Sequence, residues 1–300
     1  MVKNMRLRFR HSSSVLFLWL TIQSLVSTAQ FTSPRLLNTE YADSPYELKS
    51  GRELGLLGAG VVTYGVSVLL DKAVDPLTPD QVAALDRNNI NAFDRPATAN
   101  WNPSIAKASD ITLYTNVALP ALLTLGLKPM RQDVKTLGIM YIETLLLANG
   151  VESTVKALSQ RPRPFVFNPD VPLERKLNRD ARQSFFSGHA TTAFATAVFT
   201  SEVFRHYFPY SKLKPVVWAG TLGLATATCV MRYESGRHYY TDLLAGAAFG
   251  SLVGWAIPKL HEVKNRGKVG RRFDIQPWTN GSSTGLYTRF QFHSRSRLYP

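Results

Sequence analysis

Eight residues in three short stretches have types and spacings that could move a phosphoryl group. They are Lys156 and Arg163, then Ser187, Gly188 and His189, then Arg232, His238 and Asp242. His238 and Asp242 are four apart, on one face if the segment is helical. A carboxylate there can accept the proton of one ring nitrogen and fix the tautomer, leaving the other nitrogen as nucleophile or base. Arg232, six residues before His238, could cover the same pocket from the preceding turn. Taken alone, such a His/Asp pair also reads as an ordinary structural hydrogen bond.

The elements around these residues bear on what they can do. Ser187 and Gly188 precede an apolar run at 190–204, so they fall at the expected N-terminus of a helix. Unpaired amides and the positive dipole end make that an anion site. His189 would be presented at the same point, suited to giving a proton to a leaving oxygen. Lys156 projects from the last turns of another apolar run, where a cation suits the dipole. Pro162 and Pro164 then stop the helix and stiffen the chain around Arg163. Arg163 can grip two phosphate oxygens while Lys156 acts as a point charge. Arg161 reads as facing anionic lipid headgroups or solvent. Each piece alone also has a plain structural reading; their combination is what is specific.

The three stretches resemble the signature of the type 2 phosphatidic acid phosphatase and vanadium haloperoxidase superfamily. Lys156, Arg163 and Pro164 fit the first motif, a Lys, six residues, then Arg-Pro. Phe186-Ser187-Gly188-His189 fits the second, with Phe in place of the usual Pro. Arg232, His238 and Asp242 fit the third, with Met231 where the family has Ser. The resemblance covers about residues 137–257 by motif. It implies that His238 attacks phosphorus and forms a phosphohistidine, that Asp242 orients it, and that His189 protonates the leaving group. It implies that Lys156, Arg163, Arg232, Ser187 and Gly188 hold the phosphoryl oxygens, as the spreading of negative charge also requires. No metal cluster is expected: Cys229 is the one cysteine and the other histidines are scattered, so no cofactor is implied.

Six apolar runs, 54–70, 111–127, 137–158, 190–204, 216–230 and 243–257, show no strand alternation and no internal repeat. They predict an all-α, membrane-embedded bundle of about six core helices in one domain at 54–257, with the site at one end. Residues 71–107 and 159–186 are long connections. The second carries Arg175, Lys176, Arg179 and Arg182, and is placed to roof the pocket. A polar segment at 30–53 precedes the domain, and a basic, polar tail at 258–300 follows, with a strand-like alternation at 286–292 to which no function is assigned.

Residues 1–29 have the parts of an export signal. Lys3, Arg6, Arg8 and Arg10 come first, an apolar stretch follows, and Ser27-Thr28-Ala29 supplies a cleavage site. An uncleaved anchor is the alternative. Net charge is +14, but the basic residues gather at helix ends and loops with no recognition helix or zinc module, which argues against nucleic acid. Most apolar runs are about 15–17 residues against the ~20 of a spanning helix, and mean hydropathy is −0.09. Charge placement favours spanning. Residues 128–136, 205–215 and 258–272 are basic and would share the side opposite the site, as the positive-inside rule wants for an outward-facing site. If the signal is cleaved and all six runs cross, the site ends in the cytoplasm. An outward site therefore needs a first run that inserts only in part, for which 54–70 with its glycines is the candidate, or no crossings at all. The expected function is a metal-independent phosphatase of a lipid phosphate, such as phosphatidate, an isoprenyl diphosphate, phosphatidylglycerophosphate or lipid A, at the periplasmic face of the inner membrane. The alternatives are a soluble periplasmic acid phosphatase for small phosphoesters, a vanadate-dependent haloperoxidase and a non-catalytic envelope protein. Oligomeric state is not expected to be readable.

Overall fold

Five of the six apolar runs lie wholly inside a longer helix, and the run at 111–127 passes the end of its helix by one residue. The computed structural model describes residues 44–263 and the backbone of two strands beyond them. Its long helices are α1 (Ser50–Lys72), α2 (Pro103–Gly126), α3 (Val134–Ser159), α4 (Gly188–Tyr207), α5 (Lys214–Glu234) and α6 (Tyr240–His261). They contain 23, 24, 26, 20, 21 and 22 residues, each more than its apolar run. The added length comes from polar ends and caps that an apolar count omits. Asn102 Oδ1, for example, accepts the Ser104 and Ile105 amides at 3.1 Å, with Pro103 at the first helical position. At the other extreme, α3 stops where Gln160 turns left-handed (φ 45°) ahead of Pro162.

The centre of the bundle is α4. Fourteen of its 20 residues are buried, half of them Ala or Thr, with Phe199, Val203 and Phe204 toward its C-terminal end. It packs on α2, α3, α5 and α6, most extensively on α6. The small side chains of α4 face a glycine stripe on α6, Gly246, Gly250 and Gly254, spaced at i, i+4 and i+8. A Cβ at those positions would run into the carbonyl oxygens of Ser187, Thr191 and Ala195 respectively. The two backbones are therefore in direct contact, and the N-termini of α4 and α6 lie together, joined by the Ser187 amide donating to the Asp242 carbonyl at 3.0 Å.

α1 lies against α3 along the bundle. Leu146 occupies the space a side chain would need at Gly60, and Thr63 does the same at Gly150. The far end of α1 reaches the site-side loops, where Asp71 accepts from Gln183 Nε2 (2.6 Å) and Arg179 Nη1 (3.3 Å). α1 thus runs the full length of the bundle. The long connections contain short helical turns: Pro79–Ala83, Arg87–Asn89 and Arg95–Ala99 in the first, Pro164–Phe167, Leu173–Lys176 and Arg179–Arg182 in the second.

α1, α3 with its extension to Phe167, and α6 are long and apolar enough to cross a membrane. Their outer faces leave large apolar side chains uncovered, including Leu54 and Leu69 on α1 and Leu244, Leu252 and Trp255 on α6. Ile111 and Leu122 on α2 do the same. An apolar surface of that extent belongs to a membrane protein. Beyond the helices, β1 (Phe273–Thr279) pairs antiparallel with β2 (Thr284–Phe290), so the strand expected at 286–292 starts earlier and has a partner. The expected signal at 1–29 lies outside the described residues.

Gly250→Ala is expected to force α4 and α6 apart and to cost about 1–3 kcal/mol. A thermal melt of the detergent-solubilised protein measures it, and a melting midpoint equal to the wild type would contradict the direct backbone contact.

Candidate active site

The N-termini of α2, α4 and α6 meet the C-termini of α1, α3 and α5 at one end of the bundle, and there the structure holds a pocket of about 470 Å³. Five of the eight residues singled out by sequence line it: Lys156, Arg163, His189, Arg232 and His238. Ser187, Gly188 and Asp242 adjoin these residues in sequence or space without being among the lining side chains. The loop of short helical turns adds Arg175 and Asp180, α2 adds Lys107 and Asp110, and Arg237 completes the lining with Trp101, Pro103 and Ala106.

His238, 1% exposed, sits in the turn between α5 and α6. Its Nδ1 is 2.9 Å from the Ser184 carbonyl and its Nε2 is 3.1 Å from Arg163 Nη1. A carbonyl only accepts and a guanidinium only donates, so the proton is on Nδ1 and the lone pair on Nε2. That lone pair accepts from Arg163 Nη1, and both residues line the pocket. Burial, and then the charges of Arg163, Arg232 and Lys156, hold the His238 pKa well below the ordinary histidine value, so the ring is neutral.

The direct hydrogen bond expected from His238 to Asp242 is not made: Nδ1 and Oδ2 are 3.6 Å apart. His238 precedes the first residue of α6, so the helical spacing that would have faced the two does not apply. Asp242 instead accepts from Ser184 Oγ (2.5 Å), the Tyr239 amide (2.9 Å) and Arg161 Nη1 (2.6 Å). It holds the residue that holds His238. Arg161 is corrected too. It lies over the Tyr239 ring at 4.0 Å and joins Asp242 to Asp94 Oδ2 (2.8 Å), a half-buried bridge between two buried carboxylates. Both carboxylates are fully buried.

Arg163 is 3% exposed and fixed on three sides. Its Nε donates to the Asp180 carbonyl (2.8 Å), Nη2 to Asp180 Oδ1 (2.6 Å) and Nη1 to the Arg237 carbonyl (2.9 Å). Arg237 Nη1 reaches the other Asp180 oxygen at 3.1 Å. Burial raises the Asp180 pKa, but Arg163, Arg237 and Lys156 outweigh it and hold the carboxylate below its ordinary value.

On the opposite wall, His189 Nε2 lies 2.8 Å from Asp110 Oδ1, and Arg232 Nη1 lies 3.8 Å from the same oxygen. Arg232 Nη1 also donates to Ser109 Oγ at 3.3 Å. Lys156 Nζ pairs with Glu152 at 2.5 Å, and a side chain at Gly188 would stand 2.8 Å from that carboxylate, so Glu152 fills the space glycine leaves. Ser187 caps α4, its Oγ accepting the Ala190 amide at 3.3 Å. Among the described residues the Gly188 and His189 amides have no hydrogen-bond partner. Met231 is not among the residues that line the pocket.

Of the four basic residues expected to roof the site, Arg175 alone reaches the pocket. Lys176 is buried on the Asn168 carbonyl (2.7 Å), while Arg179 and Arg182 tie the loop to the end of α1 at Val74 and Asp75. Asp110, Glu152, Asp180, Lys107 and Arg237 were not singled out from the sequence. Arg237 could have been, being next to His238. Asp110 gave one signal, a carboxylate one residue before an apolar run.

The PAP2 superfamily model matches residues 137–266, the stretch that carries all three motifs. Lipid A 4'-phosphatase of Porphyromonas gingivalis is 26% identical over 136 residues, which is 45% of this chain and 54% of that protein. The chain thus aligns with about half the length of this relative. Among solved structures, a transmembrane PAP2 type phosphatidylglycerolphosphate phosphatase from Bacillus subtilis is similar with a TM-score of 0.40 and 19% identity, over 67% of this chain and 95% of that one.

Arg161→Ala leaves two buried carboxylates without their shared cation, and is expected to destabilise the protein by about 3–5 kcal/mol. Arg161→Lys, which cannot bridge both, should recover only part of it. Chemical or thermal unfolding of the two variants measures the difference; an Arg161→Ala variant as stable as the wild type would return Arg161 to the surface role first read for it.

Proposed function

We propose that the protein is a phosphatase of lipid phosphates that works through His238. The observation that carries this is His238, its Nε2 left unprotonated by the tautomer and hydrogen-bonded to Arg163, lining a pocket with Lys156, Arg163 and Arg232 around it. The Nε2 lone pair attacks phosphorus, the bond from phosphorus to the ester oxygen breaks, and His189, held by Asp110, gives that oxygen its proton. Water then attacks the phosphohistidine, with His189 taking the water's proton as a base. The three cations and the free Gly188 and His189 amides offset the charge on the equatorial oxygens as it builds. Asp242 acts through Ser184 and Arg161, as a positioning residue.

The substrate class follows from where the pocket lies. It opens at the ends of helices whose outer faces are apolar, the depth at which a lipid headgroup sits beside its chains. Such a surface favours a lipid substrate over the water-soluble phosphoesters of a soluble enzyme. The similar protein named a lipid A 4'-phosphatase supports the same class.

We further propose that the site faces the periplasm. The opposite end carries Lys128, Arg131, Arg205, Lys212, Lys214 and Lys259, and the positive-inside rule puts that end in the cytoplasm. Because α1 runs the whole bundle and starts at the basic end, this orientation and a cleaved signal at 1–29 exclude each other. On the charge rule, the start of α1 at Ser50 lies in the cytoplasm.

His238→Ala is expected to abolish phosphate release from a detergent-dispersed lipid phosphate in EDTA. His189→Ala should slow an alkyl phosphate far more than an aryl phosphate, whose leaving oxygen needs no proton; equal losses on both would remove His189 from the acid role. Since His238 stays neutral below the usual histidine range, kcat/KM should hold as pH falls through about 6.5. Stability should go the other way. The unfolded chain binds the proton that folded His238 refuses, so a contribution present above about pH 6.5 is lost as pH falls through the lower folded value. A pH–rate profile measured beside a pH–melting curve tests both signs.

A further inference from the structure

Near the opposite end of the bundle, three side chains able to bind a metal meet inside it. Glu53 lies in the first turn of α1, Glu143 in α3, and His261 closes α6. From Asp242 to His261 is 19 residues of one helix, or about 28 Å at 1.5 Å each, so this cluster is remote from the pocket. His261 Nε2 stands 2.7 Å from Glu53 Oε2 and 3.2 Å from Glu143 Oε2, and one ligand atom from each residue falls within 4.8 Å of the others. Glu143 and His261 have no exposure.

Two features point to an ion between them. His261 Nδ1 lies 2.8 Å from the Ile257 carbonyl, which can only accept, so a ring proton is there, and Nε2, hydrogen-bonded to Glu53 Oε2, is the nitrogen that faces both carboxylates. Histidines that ligate metals are held in this way by a carbonyl on the other nitrogen. Secondly, neither oxygen of the fully buried Glu143 has a hydrogen bond among the described residues. A bare carboxylate inside a bundle is costly and calls for a cation. Glu53 is braced from outside, its Oε1 accepting the Lys49 amide (2.8 Å) and Arg52 Nη2 (2.7 Å), which leaves Oε2 for the cluster.

We propose that Glu53, Glu143 and His261 bind one divalent transition-metal ion, with Zn²⁺ the best fit to one nitrogen and two carboxylate donors. The charges of two carboxylates and a dication cancel, as an apolar interior requires. Tetrahedral bonds of ~2.0–2.2 Å need ligand atoms about 3.4 Å apart, so the tighter contact has to open by only about 0.7 Å. The ion would clamp α1, α3 and α6 at the basic end and take no part in phosphoryl transfer.

The test uses the full chain, purified in detergent without chelator, with elemental analysis and thermal melting. About one Zn²⁺ per chain is expected. Chelation should lower the melting midpoint and added Zn²⁺ restore it, while phosphate release measured well below that midpoint persists. Glu143→Gln keeps the shape and removes the charge, and should weaken Zn²⁺ binding by roughly 10–100-fold or more. Two results would overturn the proposal. One is a wild type that holds no stoichiometric metal and whose midpoint ignores added Zn²⁺, which would assign the cluster to a shared proton. The other is a Glu143→Gln protein that binds Zn²⁺ like the wild type.

Discussion

The three motif stretches are brought to one place by the carboxylate of Asp242. Arg161 from the first stretch, Ser184 ahead of the second, and Tyr239 beside His238 in the third all donate to it. Its backbone carbonyl meanwhile accepts the Ser187 amide. A buried carboxylate left unpaired is so unfavourable that these donors have little freedom to leave. Asp94 repeats the device one layer out, joining Arg161 to Thr241 and Asn91. The position of His238 is therefore set less by its own contacts than by two carboxylates that cannot be abandoned. The glycine stripe of α6 is the complementary requirement: without direct contact between α4 and α6, Ser187 and Asp242 would not reach each other.

On that frame the pocket concentrates positive charge. Lys107, Lys156, Arg163, Arg175, Arg232 and Arg237 line it against Asp110 and Asp180. Such an imbalance attracts a dianion and keeps a buried histidine unprotonated, and a nucleophile needs both. The two aspartates serve different ends. Asp180 fixes the directions of Arg163 and Arg237, so that their donors are arranged before charge develops. Asp110 faces His189 and Arg232, on the wall where a leaving group would depart.

The motif cations and histidines were legible because their chemistry demands those residue types, and the helices because apolar runs of this kind have few other solutions. What was missed shares a physical cause. Asp110, Asp180 and Glu152 act as partners of motif cations, and a partner's position depends on packing between elements far apart in sequence. Arg161 was misread because an arginine beside two prolines looks like a surface helix end. Its surroundings are decided by Asp94, 67 residues earlier, and Asp242, 81 residues later. The direct His238–Asp242 bond failed on a local point, the start of α6 two residues after His238, which spacing alone does not reveal.

Helix length connects the fold to where the chemistry would take place. The six helices have 20–26 residues, or about 30–39 Å at 1.5 Å each, close to or beyond the ~30 Å of a hydrocarbon core. On the proposed function, a site made from their ends would stand at the headgroup level, where a phosphate on a lipid can enter without leaving its chains' medium. The cationic residues would be prohibitively placed deeper in the bilayer, and farther out they would lose the low-dielectric walls that give fixed charges their strength. Placing the pocket at helix ends satisfies both demands with the same elements that hold the protein in its membrane.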